Sequence, residues 1–305
     1  MTPESSLLSV VTPVYNGASM IERSYWCLRS QSFGNWEWVV VDDGSKDATR
    51  SILNRIAGED PRVRVIAYDQ NRGRGYARTI LLEHARSDWV ALWDIDDFYM
   101  PDRLERVQQA RFRGFDYYTS CSVVLDLGLN FMGIRERGYA LKPIDVPILI
   151  HAATAAKRDL LRQIGYRPDL RTVGQIGEDA AVVYKLSLNP NGFYDPEPTF
   201  IHVVGNEVFL KKSVHSNRVQ LQVLRSMWQR GEIGAPSAQY RRMMRRRSTR
   251  LMLLNTLQVA PPMYGWISSM RRKGAYGSLS DLPASRAAYL QRLQEKFSSG
   301  SVVTR

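Results

Sequence analysis

The sequence has 305 residues, of which 44% are hydrophobic, 24% charged and 10% aromatic. This composition is that of an ordinary globular protein, and it excludes disordered, collagen-like and membrane-bundle chains. We expect one substantial domain with a smaller appendage, because single cores stop growing at roughly 250 to 300 residues. Cys27 and Cys121 lie far apart and belong to no CxxC pair. They therefore predict neither a disulfide framework nor a zinc site.

The net charge of +12 is concentrated in the C-terminal part of the chain. Residues 218–305 contain 16 Lys and Arg but 3 Asp and Glu, so residues 1–217 are close to neutral. We predict a body, residues 1–217, and a basic, mainly helical C-terminal extension, residues 218–305, which would meet any anionic partner. The first residues lack the basic and long apolar regions of a signal peptide, and we expect a cytoplasmic protein.

Strand-like and helix-like segments alternate in the first part of the sequence. Apolar runs predict strands at 8–14, 36–41, 63–68 and 89–93, and amphipathic patterns predict helices at 20–31, 47–57 and 76–85. Further on we predict helices at 103–112 and 180–188 and strands at 115–125 and 199–204. The alternation is typical of βαβ units. It predicts an α/β fold with a Rossmann-like, mixed and mostly parallel sheet flanked by helices.

Acidic side chains directly follow two of the predicted strands. Asp42 and Asp43 come after the second strand, and Asp94, Asp96 and Asp97 come after the fourth. Ligands bind at the carboxyl ends of parallel strands, and clustered carboxylates repel one another unless a cation lies between them. The later cluster therefore predicts a Mn²⁺ or Mg²⁺ site that also binds a diphosphate. The alternatives are a helix cap for the later acids and an Asp-Gly turn for the earlier pair.

Two helix starts are candidate sites as well. The glycine-rich stretch 71–75 could present backbone N–H groups and arginines to a phosphate, or it could be a solvated basic turn. Glu178 and Asp179 precede the predicted helix 180–188. A carboxylate in the first turn of a helix is kept ionised by the helix dipole, as a catalytic base requires. A plain N-cap is the alternative there.

Three segments together resemble the family 2 glycosyltransferases, which have the GT-A fold. They are residues 9–17 (SVVTPVYNG), 39–45 (VVVDDGS) and 94–104, in which DIDD is followed by PDRL. The resemblance is dense from about residue 7 to residue 112 and thins to isolated motifs further on. It implies inverting transfer of a sugar from a nucleotide diphosphate donor, with UDP expected, to a hydroxyl acceptor. Cell-surface polysaccharide or glycolipid synthesis would be the setting.

The resemblance also implies roles for individual residues. Asp96 would bind the metal together with Asp94, and Asp179 would be the catalytic base, as in the family's Glu-Asp motif. Thr79 stands where the family has an asparagine. The residues expected to contact the nucleotide sugar are Thr12, Pro13, Tyr15, Asp43, Arg78, Asp94, Ile95, Glu178, His202 and Lys211.

The basic extension has a further candidate function. Arginines cluster over 241–250, residues 251–270 carry no charge, and 271–273 are basic again. This stretch is too polar for a membrane span but suits a segment lying on an anionic membrane, as a lipid-linked acceptor would require. A helical segment packed on the body, or an oligomer contact, is the alternative. Two other functions stay open: a non-catalytic nucleotide-sugar-binding protein, and a nucleic-acid-binding protein that uses the basic tail.

Overall fold

The computed structural model describes residues 6–135, 149–166, 178–204, 222, 225–234, 242 and 279–297. Its strands are β1 (Leu8–Val14), β2 (Trp36–Asp43), β3 (Val63–Tyr68), β4 (Trp89–Leu92), β5 (Phe98–Tyr99), β6 (Tyr117–Asp126), β7 (Phe131–Arg135), β8 (Ala155–Lys157) and β9 (Gly192–Val204). Its helices are α1 (Ala18–Arg29), α2 (Thr49–Glu59), α3 (Arg74–His84), α4 (Arg103–Phe112), α5 (Arg158–Ile164), α6 (Glu178–Ser187) and α7 (Ala284–Phe297).

These strands form one mixed sheet in the order β3-β2-β1-β4-β8-β6-β9-β5, with β7 paired to β6. β1 is parallel to β2 on one side and to β4 on the other, so that Val11 pairs with both Val39 and Leu92. The chain runs outward from β1 to β3 and then returns to β4. The strand order therefore reverses between β1 and β4, which is where open α/β sheets bind their ligands. The predicted α/β architecture is confirmed.

Both faces of the sheet are covered by helices, as the continuous apolar strands require. Alternate side chains of one strand enter opposite cores, since successive residues of a strand point to opposite faces. Val10 and Val40 pack in a core with α1, α2, α4 and α7. Val11 and Val41 pack in a second core with α3, α5 and α6. Every residue of β2 is buried as a result.

The strand predicted at 199–204 is longer in the structure, because β9 begins at Gly192. Residues 192–195 pair with the first part of β6, and pairing resumes at Phe200 after a register shift. Pro196 and Pro198 lie within the shift, where the strand needs no ladder hydrogen bond from them. Two prolines therefore mark a bulge in this strand and not its beginning.

The C-terminal helix α7 packs on the body. Its buried residues Tyr289, Leu290 and Leu293 share one core with α1 and β1. The last part of the predicted extension 218–305 is thus joined to the sheet domain by a common hydrophobic core. Among the described residues, no helix is long and apolar enough to cross a membrane. Apart from residue 242, the basic stretch 241–273 lies outside the described residues.

Candidate active site

The loops after β1 and β2 are tied into one edge of the site. Asn16 donates its backbone N–H to Ser45 Oγ (2.9 Å), and its side-chain oxygen accepts from the Lys46 N–H (2.8 Å). Asn16 has φ 51°, a left-handed conformation that asparagine tolerates better than most residues. The Tyr-Asn-Gly part of the first motif is therefore a turn fixed against the Asp-Gly-Ser part of the second.

Asp43 organises the loop in front of α3. Its two carboxylate oxygens accept the backbone N–H groups of Arg72 (2.8 Å) and Gly73 (2.7 Å). Gly44 permits this approach because its φ is +77° and a Cβ there would lie 2.6 Å from the backbone carbonyl carbon of Gln70. Asp43, which the resemblance assigns to the nucleotide sugar, is thus buried, and it shapes the loop at that end of the site.

The residues predicted from the first motif occupy different environments. Thr12 is fully buried, and its hydroxyl accepts from Trp38 Nε1 (2.8 Å). Pro13 is half-buried, whereas Tyr15 is 48% exposed at the edge of the site. Tyr15 therefore offers an accessible aromatic surface to a ligand. The side chain of Thr12 supports the sheet beneath that surface.

The acids after β4 form a compact cluster. Asp94, Asp96 and Asp97 each offer a carboxylate oxygen, and these atoms lie within 4.8 Å of one another. Opposite ligands of a Mn²⁺ or Mg²⁺ ion lie roughly 4 Å apart, and such ions prefer carboxylate oxygens together with phosphate and water. The three side chains therefore fit the predicted metal. Ile95 between them is 8% exposed and points into the core, so its main chain is the part left to face a donor.

Asp97 connects the acidic cluster to β9. Its Oδ1 accepts the backbone N–H of Val203 (3.1 Å) and lies 3.1 Å from Nδ1 of His202. Burial raises the pKa of the Asp97 carboxyl, and the neighbouring His202 opposes that rise. His202, which the resemblance assigns to the donor, is therefore held beside the cluster by Asp97.

Arg78 of α3 reaches the same cluster from the other side. Its Nη2 lies 3.4 Å from Asp94 Oδ1, and its side chain is almost fully buried. Burial raises the pKa of Asp94, the charge of Arg78 opposes that rise, and Asp96 and Asp179 add to it. Asp179 lies in the first turn of α6. Helix α6 packs in the same core as α3, so Asp179 and Arg78 belong to helices on the same face of the sheet.

Tyr99, which was not predicted as a site residue, supports the main chain of the acidic loop. Its hydroxyl oxygen accepts the backbone N–H of Asp94 (2.7 Å), and its ring stacks on Trp93 with centroids 3.6 Å apart. The residue is fully buried. In the sequence this tyrosine stands in an apolar stretch and resembles any other core aromatic, although a buried phenol must find a hydrogen-bond partner.

A second missed group lies near Arg78. His151 is buried, with Nε2 2.8 Å from the Tyr166 hydroxyl, and the Arg78 guanidinium lies 5.7 Å from the Tyr166 ring centroid. The turn that begins at His151 is fixed by Arg103, which is fully buried and donates to the carbonyls of residues 152–154. Arg103 belongs to the Pro-Asp-Arg-Leu segment, so that segment has a structural role here.

Two predicted contacts cannot be placed. The backbone of Glu178 opens α6, but its side chain lies outside the described residues, as does all of Lys211. The remaining predicted positions surround the switch between β1 and β4.

Solved structures with a similar fold include two proteins determined in complex with nucleotide sugars. One is S. aureus TarS 1-349 in complex with UDP-GlcNAc, with a TM-score of 0.55, 17% identity, and coverage of 73% of this chain and 72% of that chain. The other is the mannosyltransferase PcManGT from Pyrobaculum calidifontis in complex with GDP-Man and Mn²⁺. Its TM-score is 0.58 at 16% identity, covering 96% of this chain and 88% of that chain. At these identities the likeness establishes the fold, which is GT-A.

Sequence comparison agrees with the fold. The putative teichuronic acid biosynthesis glycosyltransferase TuaG of Bacillus subtilis is 40% identical over 106 residues, which are 35% of this chain and 42% of TuaG. The matched segment thus spans less than half of that relative. The sequence profile of glycosyl transferase family 2 matches residues 9–165, from β1 through α5. The match includes the acidic cluster and covers more than half of the 305 residues, and the chain belongs to glycosyl transferase family 2.

Proposed function

We propose that this protein is an inverting glycosyltransferase that moves a sugar from a nucleotide diphosphate, with UDP as the expected nucleotide, to a hydroxyl acceptor. The observation that carries the proposal is the acidic cluster after β4, in which carboxylate oxygens of Asp94, Asp96 and Asp97 lie within 4.8 Å of one another. Helix α6, whose first turn contains Asp179, packs in the same core as α3, the helix that places Arg78 against Asp94. An in-line displacement needs a group that stabilises the negative charge of the leaving diphosphate. It also needs a base that takes the proton of the acceptor hydroxyl.

In the proposed reaction Asp179 accepts the proton of the acceptor hydroxyl. The acceptor oxygen then forms a bond to the anomeric carbon, while the bond from that carbon to the diphosphate oxygen breaks with its electron pair. Because attack and departure occur on opposite faces, the anomeric configuration inverts. The position of Asp179 in the first turn of α6 favours the ionised carboxylate that accepts the proton.

The acidic cluster would hold the divalent cation. Asp96 and Asp94 are the proposed ligands, and the bound cation would supply positive charge to the leaving diphosphate. Asp97 orients the loop through Val203 and His202. Arg78 adds a fixed positive charge on the donor side and opposes the rise that burial causes in the pKa of Asp94.

The nucleotide is proposed to lie between Tyr15 and the loop 70–73. Tyr15 offers an exposed ring for stacking, and the loop is held rigid by Asp43. TarS was solved with UDP-GlcNAc and PcManGT with GDP-Man. The GT-A fold thus accommodates either base, and the test of a UDP donor must include GDP sugars.

Cell-surface polysaccharide or glycolipid synthesis is the proposed setting. The relative TuaG is described as a putative teichuronic acid biosynthesis glycosyltransferase, which supports an acceptor of that class. For a lipid-linked acceptor of this class, the basic stretch 241–273 would suit an anionic membrane surface. Deletion of residues 241–273 should then reduce binding to anionic liposomes, and unchanged binding would contradict the membrane contact.

Calorimetric titration with UDP, GDP, CMP and TDP sugars, each with and without Mn²⁺, tests the donor. We expect one UDP sugar to bind in a Mn²⁺-dependent way. NMR of the product should then show an anomeric configuration opposite to that of the donor. Retention of configuration would contradict the proposed mechanism. Donor binding without turnover on any acceptor would favour a non-catalytic binding protein, and failure of every donor to bind would favour nucleic-acid binding by the extension.

A further inference from the structure

The C-terminal helix α7 lies directly against β5, the strand that follows the acidic residues. The hydroxyl of Tyr289 donates to the main-chain oxygen of Tyr99 (3.0 Å), and its ring stacks on Trp26 with centroids 6.0 Å apart. Phe297, the last residue of the helix, packs against Trp26 and Phe98 with ring-centroid distances of 5.4 and 5.7 Å. Both residues of β5 are therefore in contact with α7.

A buried arginine fixes the start of α7. Arg286 donates to the main-chain oxygen of Pro198 (2.6 Å) and forms ion pairs with Asp102 (2.7 Å) and Glu197 (3.3 Å). Asp102 also accepts from Arg106 (2.6 Å). A guanidinium held by several charge-assisted bonds has one well-defined position. This network sets the position of α7 relative to α4 and β9.

Tyr99 connects α7 to the candidate active site. Its main-chain oxygen accepts from Tyr289, and its side-chain oxygen accepts the backbone N–H of Asp94. Burial raises the pKa of Tyr99 well above its usual range, so the side chain stays a neutral phenol. Two hydrogen bonds thus connect Tyr289 of α7, through Tyr99, to Asp94, the first acid of the cluster.

We propose that α7 is a positioning element of the acidic loop, in which Tyr289 holds Tyr99 and Tyr99 holds the main chain of Asp94. The inference rests on the proposed metal-dependent transfer, since it concerns the geometry of that metal site. Side chains that bind a metal do so more tightly when the residues behind them hold them in one position. Helix α7 lies beyond residues 9–165, which match the family. The support that it gives to the acidic loop therefore comes from outside the matched region.

The test removes one hydroxyl from the full-length protein. Tyr289→Phe keeps the ring that stacks on Trp26 and deletes the bond to Tyr99. Tyr25→Phe is the matched control, because the Tyr25 hydroxyl donates to Asp60 (2.9 Å) and not to the acidic loop. Thermal unfolding of both variants verifies that each is folded.

Two measurements then separate the positioning role from the proposed reaction. Hydrogen exchange of the amides in residues 93–99, measured without metal, should be faster in Tyr289→Phe and unchanged in Tyr25→Phe. The Mn²⁺ concentration for half-maximal activity should rise about 10-fold in Tyr289→Phe, the lower end of the effect of removing a partner behind a metal ligand, while the rate at saturating Mn²⁺ stays within about twofold.

Wild-type exchange over 93–99 in Tyr289→Phe would overturn the inference, because α7 would then not hold the loop. Faster exchange with an unchanged Mn²⁺ requirement would overturn it as well, since the helix would support the fold alone. A wild-type protein that neither binds Mn²⁺ nor depends on it would contradict the proposed function. That failure is recognised separately, because the exchange measurement needs no metal.

Discussion

The Arg78 guanidinium lies 3.4 Å from a carboxylate oxygen of Asp94, on the side of the acidic cluster that faces α3. Burial alone would raise the pKa of Asp94, and Asp96 and Asp179 raise it further, whereas Arg78 lowers it. Metal ligands must be deprotonated to bind. Arg78 therefore extends to lower pH the range in which Asp94 is deprotonated, as the proposed metal ligand must be.

Replacement of Arg78 by Gln should move the acid limb of Mn²⁺ binding to higher pH. Without the guanidinium, burial and the neighbouring acids raise the pKa of Asp94 against the weaker effect of Arg74, so protons compete with the metal at a higher pH. Arg78→Lys keeps the charge and should shift the limb less. Calorimetric Mn²⁺ titrations between pH 5 and pH 8 measure the effect, and superimposable profiles for all three proteins would contradict it.

Asp179→Asn should abolish transfer and leave donor binding intact. The amide cannot accept the acceptor proton, and the expected loss of kcat is about 10²- to 10⁴-fold. Asp159→Asn is a suitable control, because Asp159 lies in the first turn of α5 and is exposed. Initial rates and donor titrations should be compared for the two variants. Normal turnover by Asp179→Asn would assign the base to another residue.

Asp96→Ala should weaken the Mn²⁺-dependent part of donor binding by at least about tenfold, because it removes a proposed metal ligand. Binding measured without metal should change little. Asp88→Ala provides the comparison, since Asp88 directly precedes β4 at the end of the strand remote from the cluster and its side chain is 66% exposed. Equal effects of the two substitutions on Mn²⁺-dependent binding would show that Asp96 is not a ligand.

The fold and the edge that carries the site could be predicted from sequence, because both depend on local patterns. Apolar runs such as 63–68 end where the structure ends β3, and acids after parallel strands must meet at one edge of the sheet. The sequence left open whether the acids after β4 serve as helix caps. Asp97 instead binds Val203 and His202, while Asp102 at the start of α4 makes no side-chain cap and pairs with Arg286.

The supports of the site could not be predicted, because they join residues that are distant in the chain. Tyr289 meets Tyr99 across 190 positions, and His202 meets Asp97 across 105. Neither the periodicity of apolar residues nor the spacing of a motif indicates which distant residues will be in contact. The role of Tyr99 is hidden further by its apolar surroundings, since a tyrosine in a buried strand resembles any other core aromatic until its hydroxyl is placed beside the Asp94 amide.

Cys27 gives a last prediction, which concerns stability at alkaline pH. Its thiol is fully buried beside the Tyr289 hydroxyl, and burial raises its pKa from 9.0 to about 11. The unfolded chain therefore loses the Cys27 proton at a lower pH than the folded protein does. The contribution of the neutral Cys27 thiol to the free energy of unfolding is complete below pH 9 and is lost as the pH rises towards 11. The loss reaches roughly 3 kcal/mol, at 1.36 kcal/mol per pKa unit.

Comparison with Cys27→Ala isolates this effect from the titration of lysines and tyrosines. The variant should be less stable than the wild type at pH 7, because a buried side chain has been shortened. The difference in free energy of unfolding should shrink between pH 9 and pH 11, since only the wild type loses the thiol contribution over that range. Urea unfolding at pH 7, 9 and 10.5 measures it, and a constant difference would show that the Cys27 thiol ionises equally in both states.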